Sequence, residues 1–244
     1  MKDSLVIIPT YNEKENSERI VREIFSLSSD IHVLIVDDGS PDGTATIIKD
    51  LQKHFPNTLF IIERKGKEGL GTAYILGFKW ALENNYKFIF EMDADFSHPP
   101  KDLLRLYNEA LKETAVVIGS RYCKGGKVKN WPFGRILMSY FASVYVRLIT
   151  WMPVTDTTAG FICYRKEFLE KLDFNKITFI GYAFQIEMKF AAWRLGFKMR
   201  EIPITFTDRL EGASKMSKGI FKEAILGVLK MKLRSFSHKN TYGK

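Results

Sequence analysis

The chain has 244 residues, 45% hydrophobic and 27% charged, a balance that supports one large buried core and excludes wholesale disorder. Two cysteines, Cys123 and Cys163, exclude a disulfide framework and cannot form a four-ligand zinc site by themselves. The net charge of +9 is uneven: from Lys215 to the end eight basic residues meet one acid, leaving +7 there. That pattern suits a segment meeting anionic lipid and argues against a nucleic-acid reader, whose basic surface spreads over its fold.

Met1-Lys2-Asp3-Ser4 runs straight into a strand pattern, without the long apolar core of a signal peptide, which predicts a cytosolic, reducing setting. Leu5-Val6-Ile7-Ile8, closed by Pro9, reads as a buried strand. Ile20, Ile24 and Leu27 then fall on one helical face. Val33-Leu34-Ile35-Val36 is a second strand, and Asp42 or Thr44 caps a helix running to about His54. Leu59-Phe60-Ile61-Ile62 is a third, followed by a helix through Trp80 and Leu82. Phe88-Ile89-Phe90, a helix from near Pro100, and Val116-Val117-Ile118 complete the alternation. Apolar strands alternating with helices predict a doubly wound, mostly parallel α/β sheet.

In such a sheet ligands bind beyond the carboxyl ends of the strands, so the polar residues found there carry the information. Asp93-Ala94-Asp95 follows the fourth strand. Residues i and i+2 of an extended segment point the same way, so both carboxylates can approach one hard cation and a diphosphate, although the pair also reads as a solvated loop. Asp37-Asp38-Gly39-Ser40 reads either as a tight turn or as a place where Asp38 accepts hydrogen bonds from a nucleotide. Glu13, with Tyr11, is equally open, since an acid there also favours a helix start. Gly69-Leu70-Gly71-Thr72-Ala73-Tyr74 lacks the last glycine of a dinucleotide turn, which argues against hydride transfer, and no phosphate-binding loop of the G-x-x-x-x-G-K-[ST] type occurs. His98 has no evident serine or cysteine partner and reads as a surface loop residue.

Arg135 to Met152 reads as a helix on which Arg135, Ser139, Ser143, Arg147 and Thr150 form one narrow polar stripe, the rest being apolar. This is a core helix with a solvated edge or an interfacial helix; Arg147 near its middle argues against a membrane span. In the tail, Ile220, Phe221, Ala224, Ile225, Val228 and Leu229 recur at helical spacing among lysines. The expected organisation is a catalytic unit over 1–215, with the interfacial helix at about 133–152, and a basic amphipathic segment over 216–244.

Taken together, Ile8-Pro9-Thr10-Tyr11-Asn12-Glu13, Asp37-Asp38-Gly39-Ser40, Gly69-Leu70-Gly71, Met92-Asp93-Ala94-Asp95-Phe96-Ser97-His98 and Gly119-Ser120-Arg121-Tyr122 resemble family 2 glycosyltransferases. With Asp208-Arg209 and Gly212-Ala213-Ser214-Lys215, the chain is similar to the dolichyl- or polyprenyl-phosphate mannose synthase group over roughly residues 4–215. The resemblance implies a nucleotide-diphospho-sugar transferase (GT-A-like) fold without a transmembrane span. It implies inverting transfer of mannose from GDP-mannose to a polyprenyl monophosphate, at the cytoplasmic face of a membrane. It assigns Pro9, Tyr11, Glu13, Val36 and Asp38 to the nucleotide. Asp93, Ala94 and Asp95 go to the sugar nucleotide and to Mg2+ or Mn2+, with Asp95 the firmest metal ligand and Ser97 a further one. Arg121, Arg135 and Ser139 go to the acceptor phosphate, and Arg209 and Lys215 to the donor diphosphate. Asp95, Arg121 and Arg209 are the implied catalytic residues. Ile162 departs from the arginine the resemblance leads one to expect. The alternatives are a UDP-glucose-dependent polyprenyl-phosphate glucosyltransferase, an enzyme acting on a sugar hydroxyl with Asp156 as base, and a non-catalytic nucleotide- or membrane-binding module.

Overall fold

Described here as a computed structural model, the protein is defined over residues 1–181, 183–208, 218–237 and 241–244, with side chains of the last helix defined over 226–235. The apolar runs form β1 (Ser4–Thr10), β2 (Ile31–Asp37), β3 (Leu59–Glu63), β4 (Phe88–Glu91) and β5 (Val116–Ser120). Helices α1 (Lys14–Leu27), α2 (Thr44–Gln52), α3 (Leu70–Glu83) and α4 (Asp102–Ala110) alternate with them. The second helix starts at Thr44, whose N–H Asp42 Oδ1 accepts at 3.0 Å, and ends at Gln52, short of His54.

Because strand side chains alternate between faces, each central strand feeds two cores. Val6, Ile8, Val33 and Ile35 pack under α1, α2 and α4. Leu5, Ile7, Leu34 and Val36 pack with Tyr74 and Phe78 of α3 on the opposite face. The sheet runs β3-β2-β1-β4-β7-β5-β8. It is parallel except for β7 (Ile162–Arg165), which is antiparallel to both neighbours, and β8 (Met199–Pro203) extends it beside β5. A small parallel ribbon joins β6 (Lys127–Lys129) to β9 (Thr205–Thr207). Ile162 is wholly buried in β7, so where an arginine was expected the chain places core.

Four helices complete the Val36 face: α5 (Phe133–Thr150), α6 (Lys166–Lys171), α7 (Phe184–Arg194) and α8 (Lys218–Ser237). Val146 of α5 and Val228 and Met231 of α8 join its core. The outer side of α5 is apolar and bare: Phe133 is 77% exposed, Leu148 69% and Trp151, just past its end, 71%. The expected single polar stripe splits. Ser143 and Thr150 are buried, Arg147 is exposed, and only Arg135 and Ser139 face a cavity. Among the described residues no helix is long and apolar enough to cross a membrane.

Two basic residues of the tail do not face outward as expected. Lys232 donates to Thr150 O at 3.2 Å and lies 4.5 Å from the Trp151 ring centroid. Arg234 Nη2 donates to the buried Glu187 carboxylate at 2.9 Å. The Ile220, Phe221, Ala224 and Ile225 side chains lie outside the described residues.

Candidate active site

β1 lies between β2, to which the chain turned first, and β4, to which it returned, so the carboxyl ends of β1 and β4 flank the switch point where such sheets bind ligands. Beyond β4 the chain turns sharply through Asp93-Ala94-Asp95, with Phe96 at φ 60°. Two internal bonds shape this turn. Asp93 N donates to His98 Nδ1 at 3.2 Å, and Ser97 N donates to Asp95 Oδ1 at 3.1 Å. His98 is therefore no surface residue: it is buried, with its ring stacked on Phe161 at 5.1 Å. Burial lowers its pKa to about 4, with Arg121 adding to the effect, so the ring is neutral and its 3.8 Å approach to the Asp93 carboxylate is not an ion pair.

A cavity of about 460 Å³ opens beside this turn. Asp93, Asp95, Ser97, Arg121, Arg135 and Ser139 line it, while Met138, Phe141 and Tyr145 of α5 supply an apolar wall. Six of the residues singled out from the sequence thus share one space. Ala94 is buried within the turn and offers no side chain to that space.

Among the described residues, both arginines at the cavity arrive already paired. Arg121, just beyond β5, donates through Nε and Nη2 to Asp156 at 2.8 and 2.6 Å, and Nη2 reaches Thr158 Oγ1 at 2.7 Å. Burial alone would raise the Asp156 carboxyl, but the Arg121 charge and hydrogen bonds outweigh it and hold the pKa below the ordinary range. Asp156 also accepts the Arg121 N–H at 2.8 Å, and its own N–H goes to Glu201 at 2.9 Å. A carboxylate so committed is an orienting group for Arg121 and a poor general base. Arg135 is held more loosely. Its Nη1 sits 3.1 Å from both Asp208 oxygens and its guanidinium lies 4.0 Å over the Trp131 ring, while both partners of the ion pair keep about a quarter of their side-chain exposure.

The residues expected at the nucleotide lie beside this cavity, outside its lining. Tyr11 and Glu13 follow β1, with Lys67 Nζ 5.1 Å from the Tyr11 ring centroid. Asp37 is a structural knot, accepting Thr10 Oγ1, Ser40 N and Ser40 Oγ at 2.6–2.9 Å. Asp38 forms a buried pair with Arg64, whose Nε donates at 2.6 Å and whose Nη1 reaches Thr72. Burial raises the Asp38 pKa, and Arg64 offsets part of that effect. Pro9 is half-buried opposite Val36 in the β1–β2 register, and the Val36 side chain is fully buried in the core, so Val36 can meet a ligand only through its backbone. Arg209 and Lys215 lie outside the described residues.

The Gly69–Gly71 turn has a packing role. A Cβ on Gly71 would lie 2.7 Å from Phe184 Cδ2, and Gly69, at φ +104°, would bring one 2.9 Å from Ile180 O. Sequence reasoning missed Arg64, although it follows a strand end as the acids do. It also missed the pairings of Arg121 with Asp156 and Arg135 with Asp208, which no local spacing announces.

A divalent cation suits the turn by the chemistry of its donors. Asp93 and Asp95 offer hard carboxylate oxygens, and Ser97 Oγ is buried without a hydrogen-bond partner. Among the described residues no three His, Cys, Asp or Glu side chains converge as a cage. An octahedral ion bound by one or two carboxylates and completed by substrate phosphates needs no such cage.

Solved nucleotide-sugar transferases share this doubly wound sheet. Glucosyl-3-phosphoglycerate synthase of Mycobacterium tuberculosis, crystallised with Mn2+, UDP-glucose and phosphoglyceric acid, superposes at TM-score 0.67 and 15% identity, covering 94% of this chain and 79% of that one. A mannosyltransferase of Pyrobaculum calidifontis in complex with GDP-mannose and Mn2+ superposes at TM-score 0.59 and 17% identity, covering 97% of this chain and 64% of that one. At such identities the likeness concerns the fold.

Residues 5–173 match the model of Glycosyl transferase family 2, and the chain belongs to that family. The polyprenol monophosphomannose synthase of Mycolicibacterium smegmatis is 43% identical over 95% of this chain and 87% of its own length. The undecaprenyl-phosphate mannosyltransferase of Micrococcus luteus is 44% identical over 92% of this chain and 91% of its own.

Proposed function

We propose that this glycosyltransferase moves mannose from GDP-mannose to a polyprenyl monophosphate, with inversion, giving a polyprenyl β-mannosyl phosphate. The observation that carries the reading is a single cavity lined by two carboxylates and by Arg121 and Arg135, with a wall formed by a helix whose outer face is bare and apolar. The names of the two relatives described above supply the sugar and the lipid class.

The chemistry follows from the acceptor. A phosphate monoester has a second pKa of about 6, so its oxygen is anionic near neutral pH and needs no strong base. That suits a site where Asp156 is already committed to Arg121. Arg121 and Arg135 hold the acceptor phosphate through planar guanidinium donors, with Ser139 beside them. Its oxygen forms the new bond to the anomeric carbon as the bond to the nucleoside diphosphate breaks on the opposite face. Asp93, Asp95 and Ser97 would hold Mg2+ or Mn2+, which when bound neutralises charge on the departing diphosphate. Tyr11, Glu13 and Asp38 would receive the nucleotide, with Pro9 and Val36 contributing backbone. Arg209 and Lys215 would add positive charge at the diphosphate.

Phe133, Leu148 and Trp151 would enter the surface of an anionic membrane while exposed Lys230 meets its headgroups, which would bring the cavity to its lipid; the enzyme would then sit at the cytoplasmic face. The unit over 1–215 would carry the chemistry, and 216–244 would reinforce the membrane-facing side. Incubating the protein with Mg2+, a short polyprenyl phosphate and labelled GDP-mannose, UDP-glucose and other nucleotide sugars tests the reading. Label moves into lipid from GDP-mannose; transfer from UDP-glucose alone supports the glucosyltransferase instead, and no transfer from any donor overturns the enzymatic reading.

A further inference from the structure

Behind the Asp93–Asp95 turn lies a group of buried polar side chains that the chemistry above leaves unused. Glu91 ends β4 and is wholly buried, and neither of its carboxylate oxygens has a hydrogen-bond partner. Tyr74 and Tyr164 are fully buried with unpartnered hydroxyls. Gln185, in the first turn of α7, is 3% exposed, and both of its amide atoms are unpartnered. Glu91 lies near enough to feel the Gln185 amide, yet no hydrogen bond of acceptable geometry joins them. Of these four residues Gln185 alone lines the cavity, in the same space as Asp93 and Asp95.

The backbone around Gln185 is fixed. Lys189 Nζ donates to Gln185 O at 3.0 Å and to Ala159 O at 2.6 Å, tying together two segments of the cavity wall. A Cβ on Gly160 would stand 3.6 Å from Gln185 Nε2, so the Gly160 backbone packs against the buried amide without a side chain between them. An amide has two N–H donors and an oxygen with two lone pairs. Leaving it buried and unpaired costs about 1–3 kcal/mol, a cost a ligand removes only by supplying both donors and acceptors. A prenyl chain supplies neither. A phosphate supplies no donor for the amide oxygen, and the cavity already offers it Arg121 and Arg135. A sugar ring, with several hydroxyls that donate and accept, supplies both.

We propose that Gln185 reads the hydroxyls of the transferred sugar, and that it is the residue through which this cavity selects its hexose. This rests on the reading of the cavity as a nucleotide-sugar site. Lys189 acts as a positioning residue, holding the Gln185 backbone.

The test is calorimetric titration of the full-length protein with GDP and with GDP-mannose in the presence of Mn2+, for the wild type and for Gln185→Leu, which keeps size and removes hydrogen bonding. The variant binds GDP within about twofold of wild type and GDP-mannose at least about tenfold more weakly. Among donors lacking one mannose hydroxyl, at least one is penalised in the wild type and no longer penalised in the variant. Equal weakening of GDP and GDP-mannose, or weakening of neither, overturns the proposal. Should the leucine variant melt early, Gln185→Met, unbranched like glutamine and without a hydrogen-bonding amide, gives the same comparison. If the wild type binds UDP-glucose in place of GDP-mannose, the comparison runs with UDP: the choice of mannose then falls while the role of Gln185 is still decided. Failure of the wild type to bind any nucleotide sugar overturns both.

Discussion

Asp95 and Asp156 show how two buried carboxylates one cavity apart acquire different work. Asp95 receives the Ser97 N–H, which turns it toward the cavity beside an unpartnered hydroxyl. Asp156 is saturated by Arg121 and by its own link to Glu201. Asp95→Ala therefore lowers turnover at least about 100-fold, the scale of losing one electrostatic stabiliser of a leaving group, while the melting temperature stays within a few degrees. Initial rates with labelled donor, beside a thermal melt, check both halves. Asp156→Asn acts differently. It leaves Arg121 buried without a full counter-charge, and breaking such a pair costs about 3–5 kcal/mol. The expected result is a lower melting temperature and a raised KM for the lipid phosphate, with an unchanged pH profile of kcat; a lost acidic limb in that profile would instead mark Asp156 as the base. These pairings were the least legible features of the sequence. Asp38 and Arg64 are 26 residues apart, Arg121 and Asp156 35, and Arg135 and Asp208 73. Only folding makes them neighbours.

Among the elements, legibility followed how a segment buries itself. β1, β2 and β4 could be read because a short apolar run buried on both faces has one signature, and the half-buried edge strand β3 carries the same apolar run. β7 could not: its four residues, Ile-Cys-Tyr-Arg, end in a charge, and it enters antiparallel between β4 and β5. α7 lacks a polar face because Phe184 through Ala192 are all buried, Glu187 and Lys189 included, so the helical period carries no contrast. α5 was read as a helix with nearly its observed limits, yet its expected polar stripe divided between cavity, core and solvent. What survives is the bare apolar side. Fully burying one large apolar side chain is worth about 1.5–3 kcal/mol, so Phe133→Ser with Trp151→Ser weakens partition into anionic vesicles at least about tenfold, allowing for partial insertion. Co-sedimentation measures it. Turnover with a short, water-soluble polyprenyl phosphate is expected to stay within about threefold of wild type, because neither side chain lines the cavity; an equal loss in both assays would make α5 a structural helix only.

For the whole molecule, the cost of placing a polar site above a dry core appears in stability against pH. Burial pushes the Glu91 carboxyl from its ordinary 4.5 up to about 8, with Gln185 and Lys189 resisting and Asp93 adding to the rise. Burial likewise lowers Lys189 from 10.5 to about 8, with Glu91 and Asp156 resisting. The two act in adjoining windows with opposite sign. Between roughly pH 4.5 and 8 the folded protein keeps a proton on Glu91 that the unfolded chain has released, so stability falls as pH rises. Between roughly pH 8 and 10.5 the unfolded chain holds the Lys189 proton that the folded protein has lost, so stability rises with pH. Together they contribute a minimum near pH 8. Glu91→Gln keeps the size and removes the carboxyl, so it abolishes the falling limb: wild type loses melting temperature from pH 5.5 to pH 8, and the variant loses measurably less. Parallel melts of the two proteins across that interval decide it, and identical slopes would show that the unpartnered oxygens of Glu91 exact no penalty when ionised. The same substitution leaves the exposed face of α5 untouched, so vesicle binding by the variant is expected to match wild type at both pH values, which separates a fault in the core behind the cavity from a fault in the proposed lipid-binding face.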